Sequence, residues 1–108
     1  MANTFKLKTK ASVGVTTTPV YVVPGSTTTV VIGITASNIS GNNINVGIGV
    51  TRASTDDVHL MKNVPIPQGS SFEFMAGNKI VLETTDTITA KSDVNNSLDV
   101  ALTIMEIT

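Results

Sequence analysis

The chain contains no cysteine and no tryptophan, one histidine, and four aromatic residues: Phe5, Tyr21, Phe72 and Phe74. Without cysteine there is neither a disulfide framework nor a thiolate metal site. The single histidine, His59, follows Asp56 and Asp57, an arrangement that invites a metal reading. On a strand, however, Asp57 and His59 share one face while Asp56 opposes them, and no further ligand is evident. His59 therefore reads as a solvent-facing or interface residue. Glu73 and Glu83 fall on neighbouring predicted strands joined by Ala76-Gly77-Asn78. Glycosidase chemistry uses such a carboxylate pair but also needs a sugar cleft, usually lined with aromatics, which are scarce here. The two read as charges on the wet face of a hairpin. No glycine-rich phosphate loop is present, because Val46-Gly-Ile-Gly-Val50 has its glycines in mid-strand and not at a strand-to-helix turn. The expectation is a protein that is not an enzyme and uses no metal or cofactor.

Charge is scarce too. Charged residues make up 14% of the chain, with a net charge of −1, against roughly 25% in an average soluble domain. Thr, Ser and Asn must carry the solvation. That suits a protein whose surface ends against a partner, and equally a plain Thr-rich exterior. Weak acidity argues against general nucleic-acid affinity. No apolar run approaches membrane-spanning length, and Met1-Ala-Asn-Thr-Phe-Lys6 lacks the apolar core of a signal peptide, so the chain is expected to fold in a cytoplasm.

What the chain has in quantity is Val, Ile and Thr, all β-branched and suited to a pleated surface. Its 108 residues make one small domain, 1–108, able to bury somewhat under about 70% of its extended-chain surface. Between Thr27 and Val50 two alternating runs stand out: Val30, Ile32, Ile34 and Ala36, then Ile44, Val46, Ile48 and Val50. The polar Asn38-Ile-Ser-Gly-Asn-Asn43 joint tolerates a left-handed backbone, and the stretch reads as a central β-hairpin. Gly47 and Gly49 leave a flat strip on one strand face, for close packing of a neighbouring strand or for another subunit's backbone.

The remaining segments alternate in the same way. Phe5, Leu7, Ala11, Val13 and Val15 form one face of a first strand, and Lys6, Lys8 and Lys10 stand on the other about 6–7 Å apart. The lysines read either as an aggregation guard on an edge strand or as a basic stripe that docks on an acidic partner. Residues 1–12 are accordingly a docking arm or an edge strand. Pro19 and Pro24 frame a short strand, and Pro24-Gly25-Ser26 turns the chain, with glycine expected to take the positive dihedral. Ser54 and Asp57 resemble a capping box. Further strands are expected around Val58–Val64, Phe72–Met75, Ile80–Glu83, Thr87–Ser92 and Leu98–Ile104. Eight to nine short strands with regular turn signals predict an all-β, antiparallel β-sandwich, jelly-roll or immunoglobulin-like.

Several strings also carry a likeness. They are Val20-Tyr-Val-Val-Pro-Gly25, the Asn-Ile-Ser-Gly turn, His59-Leu-Met-Lys-Asn-Val-Pro-Ile-Pro-Gln-Gly-Ser-Ser71, Asn78-Lys-Ile-Val-Leu82, Thr85-Asp-Thr-Ile88 and Leu98-Asp-Val100. Together, over residues 19–106, they resemble the small all-β virion proteins of tailed bacteriophages. The resemblance implies a non-enzymatic virion component. The foremost expectation is a capsid decoration or cement protein that binds the outer capsid and stabilises capsomer junctions through clamps of about 1,000 Å² or more. A tail, neck or fibre adaptor is the alternative, and a carbohydrate-binding module with Tyr21 as its platform is another. The expected partners are the phage major capsid protein or another virion protein and further copies of the chain, a trimer among the options, with neither nucleic acid nor membrane. Lys6, Lys8 and Lys10 are the expected partner-binding residues, and the virion is the expected location.

Overall fold

The computed structural model describes residues 2–52, 57–74 and 79–108. Its strands are β1 (Asn3–Val13), β2 (Thr18–Val22), β3 (Thr28–Asn38), β4 (Ile44–Thr51), β5 (Val58–Ile66), β6 (Ser71–Phe74), β7 (Ile80–Leu82), β8 (Thr87–Ser92) and β9 (Leu98–Ile107). The expected capping box from Ser54 and the Ala76–Asn78 connection lie outside the described residues, as does Asp56. The strands form two antiparallel sheets, a five-stranded one ordered β1-β9-β3-β6 with β7 also on β3, and a four-stranded one ordered β2-β8-β4-β5. The fold is the expected sandwich. Successive strands mostly cross from one sheet to the other, and β4–β5 is the described pair of sequence neighbours that hydrogen-bond. That wrapping is the jelly-roll arrangement.

The crossing corrects the central hairpin. β3 pairs with β9, β6 and β7, whereas β4 pairs with β5 and β8 in the facing sheet. Residues 39–43 therefore form an arch between layers that stack about 10 Å apart. Asn38 holds the arch. Its side-chain oxygen accepts from the Ser40 backbone N–H (2.9 Å) and hydroxyl (2.8 Å), and its amide donates to the carbonyls of Asn42 (2.8 Å) and Ile66 (3.0 Å). Asn38 is buried, and these bonds satisfy its polar atoms. Ser40, Gly41, Asn42 and Asn43 are not left-handed, and in the next turn back Ser26 (φ 54°) takes the positive dihedral instead of Gly25.

Inward side chains of both sheets meet as one core. Ile44, Val46, Ile48 and Val50 are buried as expected, and so are Leu98, Val100, Leu102 and Ile104. Each such side chain contributes roughly 1.5–3 kcal/mol by leaving water. Bulges shift the alternation elsewhere. In β3 the register slips between Val31 and Gly33, so Val31, Ile34 and Ala36 are buried while Val30 and Ile32 are only half-buried. In β5 two slips against β4 bring Met61 into the core in place of Val58. One extra residue changes the face of every side chain beyond it.

Candidate interaction surfaces

In β1 the register against β9 slips between Lys10 and Val13, where Ser12 is left-handed (φ 56°) and its N–H donates to Asp99 Oδ1 (2.9 Å). Val13 is buried beyond this bulge. Before it the phase is inverted: Lys6, Lys8 and Lys10 stand opposite Ile104, Leu102 and Val100, all core residues. The expected outward lysine stripe thus lies on the inward side of β1, and Phe5 and Leu7 face solvent, 70% and 64% exposed. Residues 3–13 are an integral edge strand, paired along β9, and not a free arm.

Two of the lysines are engaged inside the molecule. Lys6 Nζ lies 2.8 Å from Oε1 of Glu106, and Lys8 Nζ sits 5.9 Å from the centre of the Tyr21 ring. Glu106 is buried on β9, Tyr21 on β2 and Thr29 on β3. The Tyr21 hydroxyl donates to Glu106 Oε2 at 2.5 Å and lies 2.8 Å from the Thr29 hydroxyl, which is left to act as donor to it. This clamp ties the edge of the four-stranded sheet to the five-stranded one. Lys6 first, then the Tyr21 hydroxyl, holds the Glu106 carboxyl below the usual carboxylate range. Burial, then the Glu106 carboxylate, pushes the Tyr21 phenol up to about 12. Both shifts follow from stabilising an anion beside an ammonium and denying one to a buried phenol. A buried Tyr21, 6% exposed, has no ring face to offer a sugar, which removes the glycan platform. Lys10 is exposed and has no ion pair among the described residues.

The inversion of β1 builds a second feature. On the outer face of the five-stranded sheet, register places Phe5 opposite Met105, Met105 opposite Val30, and Val30 opposite Val81. Four apolar side chains therefore form a continuous row across β1, β9, β3 and β7. Phe5 and Val81 at its ends are 70% and 62% exposed. Leu7 flanks the row. Toward the other end the face turns polar, with Thr9, Ala101, Thr35 and Glu73 forming a parallel row.

The outer face of the four-stranded sheet carries an open groove of about 420 Å³, floored by Gly47 and Gly49 and bordered by His59, Lys62, Lys91 and Asp93. A Cβ on Gly49 would meet Val58 O at 3.0 Å and Thr89 Oγ1 at 3.3 Å, whereas one on Gly47 would be 3.5 Å from Met61 O. Gly49 thus lets the neighbouring strand approach closely, the packing alternative read from the sequence. His59 is exposed, and among the described residues no three acidic or histidine side chains gather as a metal site. Glu73 and Glu83 are not brought together, because β6 and β7 lie end to end along β3. Glu83 instead lies 3.5 Å from Arg52, whose Nε donates to buried Asp86 (3.1 Å). Asp86 raises the Arg52 pKa through that bond.

The sequence signal for the clamp was available. Glu106 continues the every-second-residue series of Leu98 to Ile104, and a carboxylate in a core phase needs a buried partner.

These features define a β-sandwich with a polar internal clamp and an exposed sheet face that carries an apolar row at one end and polar residues at the other. No family model and no curated protein matches the sequence. Among solved structures the chain is similar to one from Bacillus endospore appendages, described as "a novel family of disulfide-linked pili". The TM-score is 0.60 at 13% identity, covering 99% of this chain and 87% of that one. The likeness shows the fold.

Proposed function

We propose that the protein is a non-enzymatic structural subunit of a bacteriophage particle, carried on the outer capsid as a decoration or cement protein. The phage setting is motivated by the ordered turn-and-strand strings of residues 19–106. The adhesive role is supported by the row Phe5, Met105, Val30 and Val81, whose exposed ends leave apolar surface in water. Covering such a face returns about 25 cal/mol for each Å² of apolar area removed from solvent, and a large exposed apolar patch is the mark of an interaction site. The sandwich holds the strands under the row in place, so docking orders side chains but not backbone. Lys6 and Lys8 work within the clamp, which leaves Lys10, of the three lysines on β1, available to an acidic capsid surface.

The test is copy number on purified particles, read from a stained gel. A count on the order of hundreds, following shell symmetry, is the expected result. A dozen or fewer would overturn the capsid assignment in favour of a tail, neck or fibre part. A homopolymeric surface fibre is the second reading, favoured by the likeness to the appendage protein. These 108 residues contain no cysteine, so such a fibre would rest on non-covalent contacts and fall apart in denaturant without a reductant.

A further inference from the structure

We infer that the outer face of the five-stranded sheet is the contact between two copies of this chain, packed face to face; this rests on the structural-subunit reading and names the surface through which it works. The open edges are poor alternatives. β1 carries Lys6, Lys8 and Lys10 pointing inward, β2 carries Pro19, and β5 carries Pro65 and two bulges. Inward charges, prolines and bulges are the devices that keep a sheet edge from pairing with another chain. β6 and β7 are short, four and three residues. Adhesion is therefore directed to the face.

The size of that face fits a second copy. Strands β1, β9 and β3 of ten or eleven residues, with β6 and β7 adding seven more, at about 4.8 Å spacing and about 3.4 Å rise, present roughly 640 Å² of flat surface. A stable interface of standard size needs about 800 Å² of accessible surface from each partner, and side-chain relief on the flat area brings the two together. The charge layout fits as well. Asn3, Ile107, Thr28, Thr103 and Gly33 around the row are uncharged; Lys79 and Glu83 flank Val81 at the β7 end, Glu83 lying 3.5 Å from Arg52, and Glu73 and Asp99 belong to the polar end.

A two-fold axis running along the strands, between β9 and β3, makes the face complementary to itself. It sets Phe5 over Val81 of the second copy and Met105 over its Val30, large side chains over small ones. Glu73 then lies over the Thr9 column and Asp99 over Ser37, so no like charges meet. Such a contact is isologous, and it closes the pair.

The cysteine-free sequence makes the test direct. Sedimentation of the chain at about 100 μM, where a micromolar contact is saturated, should show a dimer. The L7K/V81K variant, altered at two side chains that are 64% and 62% exposed, should keep its far-UV circular dichroism and associate at least about tenfold more weakly. F5C/V81C, with its two thiols facing each other across sheets stacked about 10 Å apart, should be joined between chains by a bis-maleimide crosslinker of about that span. A disulfide is not the readout, because facing positions at that separation lie beyond its reach. A wild-type monomer at that concentration, an oligomer indifferent to L7K/V81K, or F5C/V81C without an intermolecular crosslink would each overturn the inference. Copy number on particles is read separately: hundreds of copies of a monomer sink the pairing alone, and a dimer present in few copies sinks the capsid assignment alone.

Discussion

Tyr21→Phe removes one oxygen from the clamp and leaves the ring in place. The lost hydroxyl donates to a buried, ionised carboxylate at 2.5 Å and contacts the Thr29 hydroxyl, which has 0% exposure. A hydrogen bond to a charged group is worth about 1.5–3 kcal/mol, and stranding a buried hydroxyl adds a further desolvation penalty. Lys6 still pairs with Glu106, which limits the damage. The expected loss is about 2–4 kcal/mol, a drop in Tm of at least about 10 °C for a domain of this size. The chain has no tryptophan, so the measurement is urea unfolding followed by far-UV circular dichroism, with an unchanged m-value expected. Combining Tyr21→Phe with Glu106→Gln should show a coupling of about 1 kcal/mol or more, since the two groups touch. A loss under about 0.5 kcal/mol, or full additivity, would refute the clamp as a stabilising contact between the sheets. The wild-type phenol itself should titrate near 12. A raised phenol contributes stability below its unfolded value near 10, lost as pH rises through the folded value.

Acid should act on the same cluster with the opposite sign. Because the Glu106 pKa is lowered in the folded state, its contribution is present above the unfolded value of about 4.3 and disappears as pH falls through the folded one; Lys6→Met should flatten that acid limb of a stability–pH curve. Gly49→Ala should lose about 1–3 kcal/mol through its contacts with Val58 O and Thr89 Oγ1, while Gly47→Ala, with only a 3.5 Å neighbour, should unfold within about 1 kcal/mol of wild type in the same denaturant series. Asn38→Ala strips the arch of its bonds to the Asn42 and Ile66 carbonyls and should lower stability by about 2–4 kcal/mol in thermal unfolding.

The strands themselves were legible, because β-branched residues at every second position state their own period. β8 falls at Thr87–Ser92 as expected, and the core of β9 runs from Leu98 through Ile104. What the pattern does not carry is its phase across a bulge. The core phase read backward from Val13 gave Phe5 and Leu7 to the interior, and the extra residue near Ser12 gave those places to lysines. The slip at Ile32 did the same to Val30. Nor does alternation say which sheet a strand joins: a hairpin and an arch both bury alternate residues on either side of a polar joint. The choice was made by Asn38, whose bond to Ile66 ties the joint to the facing layer. The candidate surfaces were hidden for the same reason, since the apolar row exists only once β1, β9, β3 and β7 are placed side by side.

The pairing of the outermost strands has a temporal consequence. Asn3 meets Ile107, and β9 lies between β1 and β3 in the sheet. During synthesis the first and third strands must wait, unpaired along those edges, until the ninth leaves the ribosome. Contacts so distant along the chain fold slowly, on the order of milliseconds to seconds. A nascent product lacking β9 would thus expose the sticky flank of β3, and chaperone engagement should persist until β9 has emerged.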